Sequence, residues 1–182
     1  MAESAGDTAV EVVPYDPDWP ELFDAEADAL MDVLNDQVVA IEHIGSTAVP
    51  GMWAKPIVDI MVGTQMPSRP TPGQIDLLGT FGYVYQREDD RRPGRFIFHK
   101  RKAIWCNLSV VPYASQPRND NLYVRDFLAA HPEVAASYSS TKRREAARNP
   151  ESLQDYQDGR REFVDELRRR ARAWATSTQS LT

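Results

Sequence analysis

Two β-rich runs, Val38 to Ile44 and Pro56 to Val62, follow one another with a glycine-containing loop and no helix between them. That succession constrains the fold more than any other feature, because a doubly wound sheet alternates strand and helix throughout. The remaining elements agree. Ala9 to Val13 alternates as a short strand, and a helix opens at Asp18-Trp19-Pro20-Glu21. After the two runs, a second helix opens at Thr71-Pro72-Gly73-Gln74 and stops at Gly82. Strands are then expected at Tyr83 to Tyr85, Arg95 to His99 and Ala103 to Val111. The order predicts an α+β fold: a mixed or antiparallel sheet flanked by helices, with a helical C-terminal third.

Within that order the first helix sets Leu22, Phe23, Ala27, Leu30, Met31 and Leu34 on one face and acids on the other. The runs Val38 to Ile44 and Pro56 to Val62 both read as interior strands. The basic segment Lys100-Arg101-Lys102 reads as a hairpin turn. In the last third, helices are expected over Asp120 to Ala130 and from Pro132 through Lys142. A final helix opening at Asn149-Pro150 carries Tyr156, Phe163, Leu167, Ala171 and Trp174. At 182 residues and 42% apolar, the chain can bury its own core. One domain over 9–175 is expected, with 1–8 and 176–182 as flexible ends.

Charge narrows the function classes. The formal net charge is -6, which argues against general binding to nucleic acid or an anionic membrane surface. The distribution is uneven: no Lys or Arg precedes Lys55, whereas Arg87 to Lys102 holds seven basic residues against three acids. Basic side chains are gathered where an anionic ligand fits, or they form a solvated face. Apolar runs are too short for a membrane span or a signal segment, so a cytoplasmic protein is expected. The single Cys106 and only His43, His99 and His131 exclude an internal disulfide and the usual structural zinc sets.

The segment richest in chemistry runs from Glu42 to Ile60. A strand enters Gly45-Ser46-Thr47, and a second strand bearing Asp59 begins about ten residues on. Gly45 lets backbone approach a ligand, Ser46 and Thr47 offer hydroxyls, and Lys55 adds a compact positive charge, a combination suited to phosphate. From the next strand, Asp59 can hold Mg²⁺ against phosphate oxygens. A tight turn with a capping serine and a structural aspartate has the same spacing.

The text His43-Ile44-Gly45-Ser46-Thr47-Ala48-Val49-Pro50-Gly51, followed by Ala54-Lys55-Pro56-Ile57-Val58-Asp59-Ile60, resembles the signature of the GrpB family, in the nucleotidyltransferase-like superfamily. Further stretches share the resemblance: Tyr15 to Pro20, Val111-Pro112-Tyr113, Arg125 to Pro132, and Tyr138 with Lys142-Arg143. The family also occurs joined to dephospho-coenzyme A kinase. The resemblance implies a nucleotidyltransferase-type palm with Gly45-Ser46 at nucleotide phosphates, Asp59 as metal ligand, and a nucleoside triphosphate as substrate. The superfamily pattern asks for a second carboxylate two residues on and often a third on a later strand, so that two metal ions clamp the reacting oxygens. Here those places hold Met61, and Asn107 with Ser109, where GrpB proteins commonly show a His-x-His pair. At most one Mg²⁺ is expected.

Other residues carry open alternatives. His43 beside the glycine loop suits acid–base work at the phosphate, or simple packing as a neutral imidazole. Arg125 and Lys142 suit a substrate phosphate or carboxylate, or internal ion pairs. His99, His131 and Cys106 read as structural or exposed, and the arginines from Arg168 to Arg172 read as a solvated face. Asn107 and Ser109, two apart on one strand, should share a sheet face as substrate-binding residues, and if Asp59 shares that face all three line one pocket. Two functions follow: an enzyme transferring a nucleotidyl or related group to a small acceptor, or a non-catalytic module that has lost its metal carboxylates and holds a nucleotide or another anionic small molecule.

Overall fold

The computed structural model describes residues 9–34, 37–65, 69–90 and 92–179. A five-stranded mixed sheet forms its centre, in the order β1-β2-β5-β4-β3. Its strands are β1 (Val38–Ile44), β2 (Val58–Thr64), β3 (Val84–Glu88), β4 (Phe96–Lys102) and β5 (Ile104–Pro112). Only β2 and β5 run parallel; the other neighbours are antiparallel. The fold is therefore α+β, as the order of elements predicts. β1 lies at the edge rather than in the interior, paired on one side with β2.

Helices α1 (Trp19–Leu34) and α2 (Pro72–Thr80) cover one face. There Trp19, Leu30 and Leu78 pack on Ile60, Phe98 and Leu108, the inward set of a two-residue strand period. A capping box at Thr71 and Gln74 starts α2. On the other face, Ile44, Met61 and Val111 meet Leu122 of α3 (Gln116–Ala130). α3 shares a second core around Phe127, Tyr138 and Leu167 with α4 (Pro132–Arg148) and α6 (Arg161–Gln179), while α5 (Leu153–Gly159) packs its Tyr156 on Ala146 and Val10. Val49 and Met52, from the loop after β1, are buried in that helical core. The loop is thus anchored on both sides.

Several boundaries differ from expectation. Ala9 to Val13 forms no strand; it makes one isolated bridge, Val13 to Ala54. Lys100, Arg101 and Lys102 are paired within β4 against Cys106, Trp105 and Ile104, and the chain turns at Ala103, with φ 55°. α3 begins at Gln116, four residues early, because Pro117 fits a first turn. The expected final helix is two. α5 starts at Leu153 with Ser152 as its cap and ends at Gly159. A β-carbon at Gly159 would stand 2.4 Å from Glu145 Oε2, so any larger residue at the corner must displace that buried carboxylate. Of the ends expected to be flexible, 1–8 and 180–182 fall outside the described residues, whereas 176–179 continue α6 as ordered helix.

Candidate functional site

The parallel pairing of β2 with β5 builds the floor. It sets Asp59 opposite Asn107 and Met61 opposite Ser109, so these four share the face toward the helical layer. Asn107 donates from Nδ2 to Asp59 Oδ1 at 2.7 Å, and its own Oδ1 accepts from Arg101 at 2.8 Å. Gly45 lies directly over the carboxylate: its φ of 73° with ψ of -166° is open to glycine alone. A β-carbon there would be 2.4 Å from Asp59 Oδ2. Burial raises the Asp59 pKa, while the Asn107 hydrogen bond and the charges of Lys55, Arg95 and Arg160 oppose the rise.

Between this floor and the helices opens a cleft of about 630 Å³, lined by Gly45, Ser46, Asp59, Tyr138 and Arg160 at its base and by Arg92, Arg168 and Arg172 toward its mouth. A smaller recess of about 80 Å³ adjoins it, where Ser46, Lys55, Asp59, Asn107, Lys142 and Arg160 converge. Lys142 is 2% exposed. Its Nζ sits 4.7 Å from the Tyr138 ring centroid but has no hydrogen-bond partner. Burial first, and then the nearby Arg160, lower its pKa to about 7, against the opposing pull of Asp59. Arg160 donates to the Tyr138 hydroxyl at 2.7 Å, yet its buried Nε has no partner. An unpartnered buried cation costs free energy unless a ligand completes it.

Gly45, Ser46, Thr47, Lys55, Asp59, Asn107 and Lys142 are therefore brought together around the cleft and its recess. Three others are not. His43 pairs with Ile60, one step out of phase with Asp59, so its ring lies on the opposite face, stacked on Phe23 at 4.8 Å. Burial and the neighbouring Arg125 lower its pKa to about 4, which leaves a neutral imidazole bonded to Thr47 Oγ1 at 3.0 Å. Thr47 itself is buried and also bonds the Ile57 carbonyl at 3.4 Å. Arg125 is held by Glu42, Asp126 and the His43 carbonyl, tying α3 to β1. Ser109 is buried beneath Arg95, whose Nε and Nη2 donate to its hydroxyl at 3.1 and 3.0 Å. Ser109 thus positions an arginine rather than lining the recess.

Sequence reasoning missed Arg160, Arg95 and Arg92. The first was hidden by the unrecognised break after Gly159; the other two stood in the basic segment already noted, without a spacing that singles them out. The donor set does not fit a two-metal centre. Asp59 is the one carboxylate that β2 and β5 bring to this face, position 61 is a fully buried methionine, and several cations face Asp59. Among the described residues no group of three His, Cys, Asp or Glu side chains could hold a metal ion. No helix among them is long and apolar enough to cross a membrane.

Comparison with known proteins agrees with this architecture. The family model described as GrpB protein matches residues 9–170. A UPF0157 protein of Pseudomonas aeruginosa is 36% identical, covering 93% of this chain and 71% of its own. The crystal structure of the conserved protein GrpB from Enterococcus faecalis superimposes with a TM-score of 0.78 at 28% identity, covering 90% of this chain and 99% of that one. A dephospho-CoA kinase of Mycolicibacterium paratuberculosis is 25% identical over 93% of this chain and 47% of the kinase.

Proposed function

The chain belongs to the GrpB family, and from that premise we propose that its cleft binds a phosphate-bearing small molecule, a nucleotide or a related metabolite, with one phosphate seated in the recess. The observation that carries this reading is Lys142: a buried ammonium without a hydrogen-bond partner, beside a buried Arg160 Nε also without one. Ser46 and Lys55 complete the ring of donors around the recess. The negative charge that these groups lack is what a phosphate supplies, through charge-assisted hydrogen bonds. Asp59 then orients rather than ligates: its carboxylate fixes Asn107 and holds some of the surrounding positive charge in place.

A panel of nucleotides and coenzyme A precursors, scanned by thermal shift with and without Mg²⁺, tests the reading, since a ligand that binds only the folded state raises the melting temperature. The kinase relative is the reason for including the precursors. Binding should be lost in Lys142→Met and should survive in EDTA. If no phosphate compound shifts the wild type, the reading fails.

Group transfer is the second reading. It is favoured by a lysine whose pKa burial lowers to about 7 sharing the recess with a carboxyl whose pKa burial raises, groups of the kind that serve as base and acid. Asp59→Asn separates the two. It should keep the fold and bind the same ligand at least as tightly if the cleft only holds it, whereas any turnover of a nucleoside triphosphate by the wild type should disappear in this variant.

A further inference from the structure

The mouth of the cleft carries cations that the recess does not use. Arg92 comes from the connection between β3 and β4, Arg168 comes from α6, and both line the cleft whose base holds Asp59 and Arg160. The two guanidiniums repel one another: after burial, Arg92 is the strongest influence lowering the Arg168 pKa. Both also depress Arg95, which lies behind them and is fixed by its two bonds to Ser109. Local acids offset part of this charge, and Asp120 and Asp165 line the cleft too. Asp89 stands 3.4 Å from Arg95 and Asp165 stands 3.5 Å from Arg168, while Asp120 is taken by Arg172 through bonds of 2.6 and 2.5 Å. Arg169, which also lines the cleft, pairs with Glu166 at 2.6 Å. Converging like charges from separate elements lower their energy when an anion sits between them.

We propose that the ligand carries a second anionic group, seated between Arg92 and Arg168 while its first phosphate occupies the Lys142 recess, so that the cleft selects a chain of two or more phosphates over a single one. The inference rests on the phosphate reading of the recess. It adds that guanidinium groups at the mouth supply the countercharge for the second group.

Isothermal titration in EDTA with orthophosphate, pyrophosphate and tripolyphosphate tests it. Pyrophosphate should bind wild type at least about tenfold more tightly than orthophosphate, the return expected of one added charged contact. Arg92→Gln and Arg168→Gln should each erase most of that gain and leave orthophosphate affinity within about twofold, with Lys142→Met weakening all three anions. Equal affinity of the wild type for the three anions would overturn the second subsite. So would arginine variants that weaken orthophosphate as much as pyrophosphate, since the mouth would then act only as a general field. Failure of every anion to bind wild type would instead remove the recess reading, and this inference with it.

Discussion

Two residues concentrate the chemistry of the site, and each has a measurable cost. Lys142 is held near a pKa of about 7 in the folded chain, well below its unfolded value near 10.4. Between these values the unfolded chain binds more protons, so folding stability should rise as pH increases from about 7 to about 8.5, by at most about 2 kcal/mol from this group. Lys142→Met removes that slope. The variant should therefore be more stable than wild type at pH near 7 while losing phosphate binding, a pairing measurable by urea unfolding across pH. Phosphate affinity of the wild type should fall above about pH 7, since binding must then recruit a proton. A pH-independent stability difference between the two proteins would contradict the buried-ammonium account. Gly45 is constrained by conformation and space together. Gly45→Ala must enter a region of φ and ψ closed to alanine, costing about 1–3 kcal/mol, and must displace the Asp59 carboxylate that it would overlap. Urea midpoints should drop accordingly, and phosphate binding should weaken with them; an unchanged midpoint would show that the loop relaxes freely.

The elements show which parts of this were legible before any coordinates. Strand periodicity placed Asn107 and Ser109 on one face, and it would have placed Asp59 with them had the parallel register been known. That register is a long-range fact, set by which strands pair rather than by local residues. For the same reason His43 looked attached to the glycine loop: adjacency in sequence conceals that neighbouring strand residues point to opposite faces. The basic hairpin misled because Lys100 to Lys102 resemble a turn, although Lys100 is drawn to the buried Glu26 at 2.5 Å and so belongs to the sheet. The α5–α6 corner was invisible because its cause is tertiary. Gly159 packs against Glu145, a buried carboxylate that already holds Arg144 and Arg148. Gly159→Ala should push the corner off α4 at about 1–3 kcal/mol, the usual cost of overpacking. Because Arg160 follows directly, phosphate affinity should fall as well. Denaturant melts with parallel titrations would decide the matter: loss of stability with full affinity would mean that Arg160 is placed by other contacts.

At the scale of the molecule, the charge asymmetry becomes spatial. The acid-rich first helix covers one face of the sheet, while the arginines of the β3–β4 connection and α6 meet across the other. A protein with a net charge of -6 thus presents an anion with a locally positive cleft, whose low-dielectric walls concentrate the field. The recess and the mouth should respond differently to salt. Lys142 is buried and poorly screened, whereas Arg168 keeps a side-chain exposure of 40% and is screened within a Debye length of about 8 Å at physiological ionic strength. Raising salt should therefore erode the advantage of pyrophosphate over orthophosphate faster than it erodes orthophosphate binding itself. Titrations of both anions from low to physiological salt would measure the two slopes. Parallel slopes would mean that both phosphates experience one field, and the division of the cleft into a buried anchor and an exposed selector would have to be abandoned.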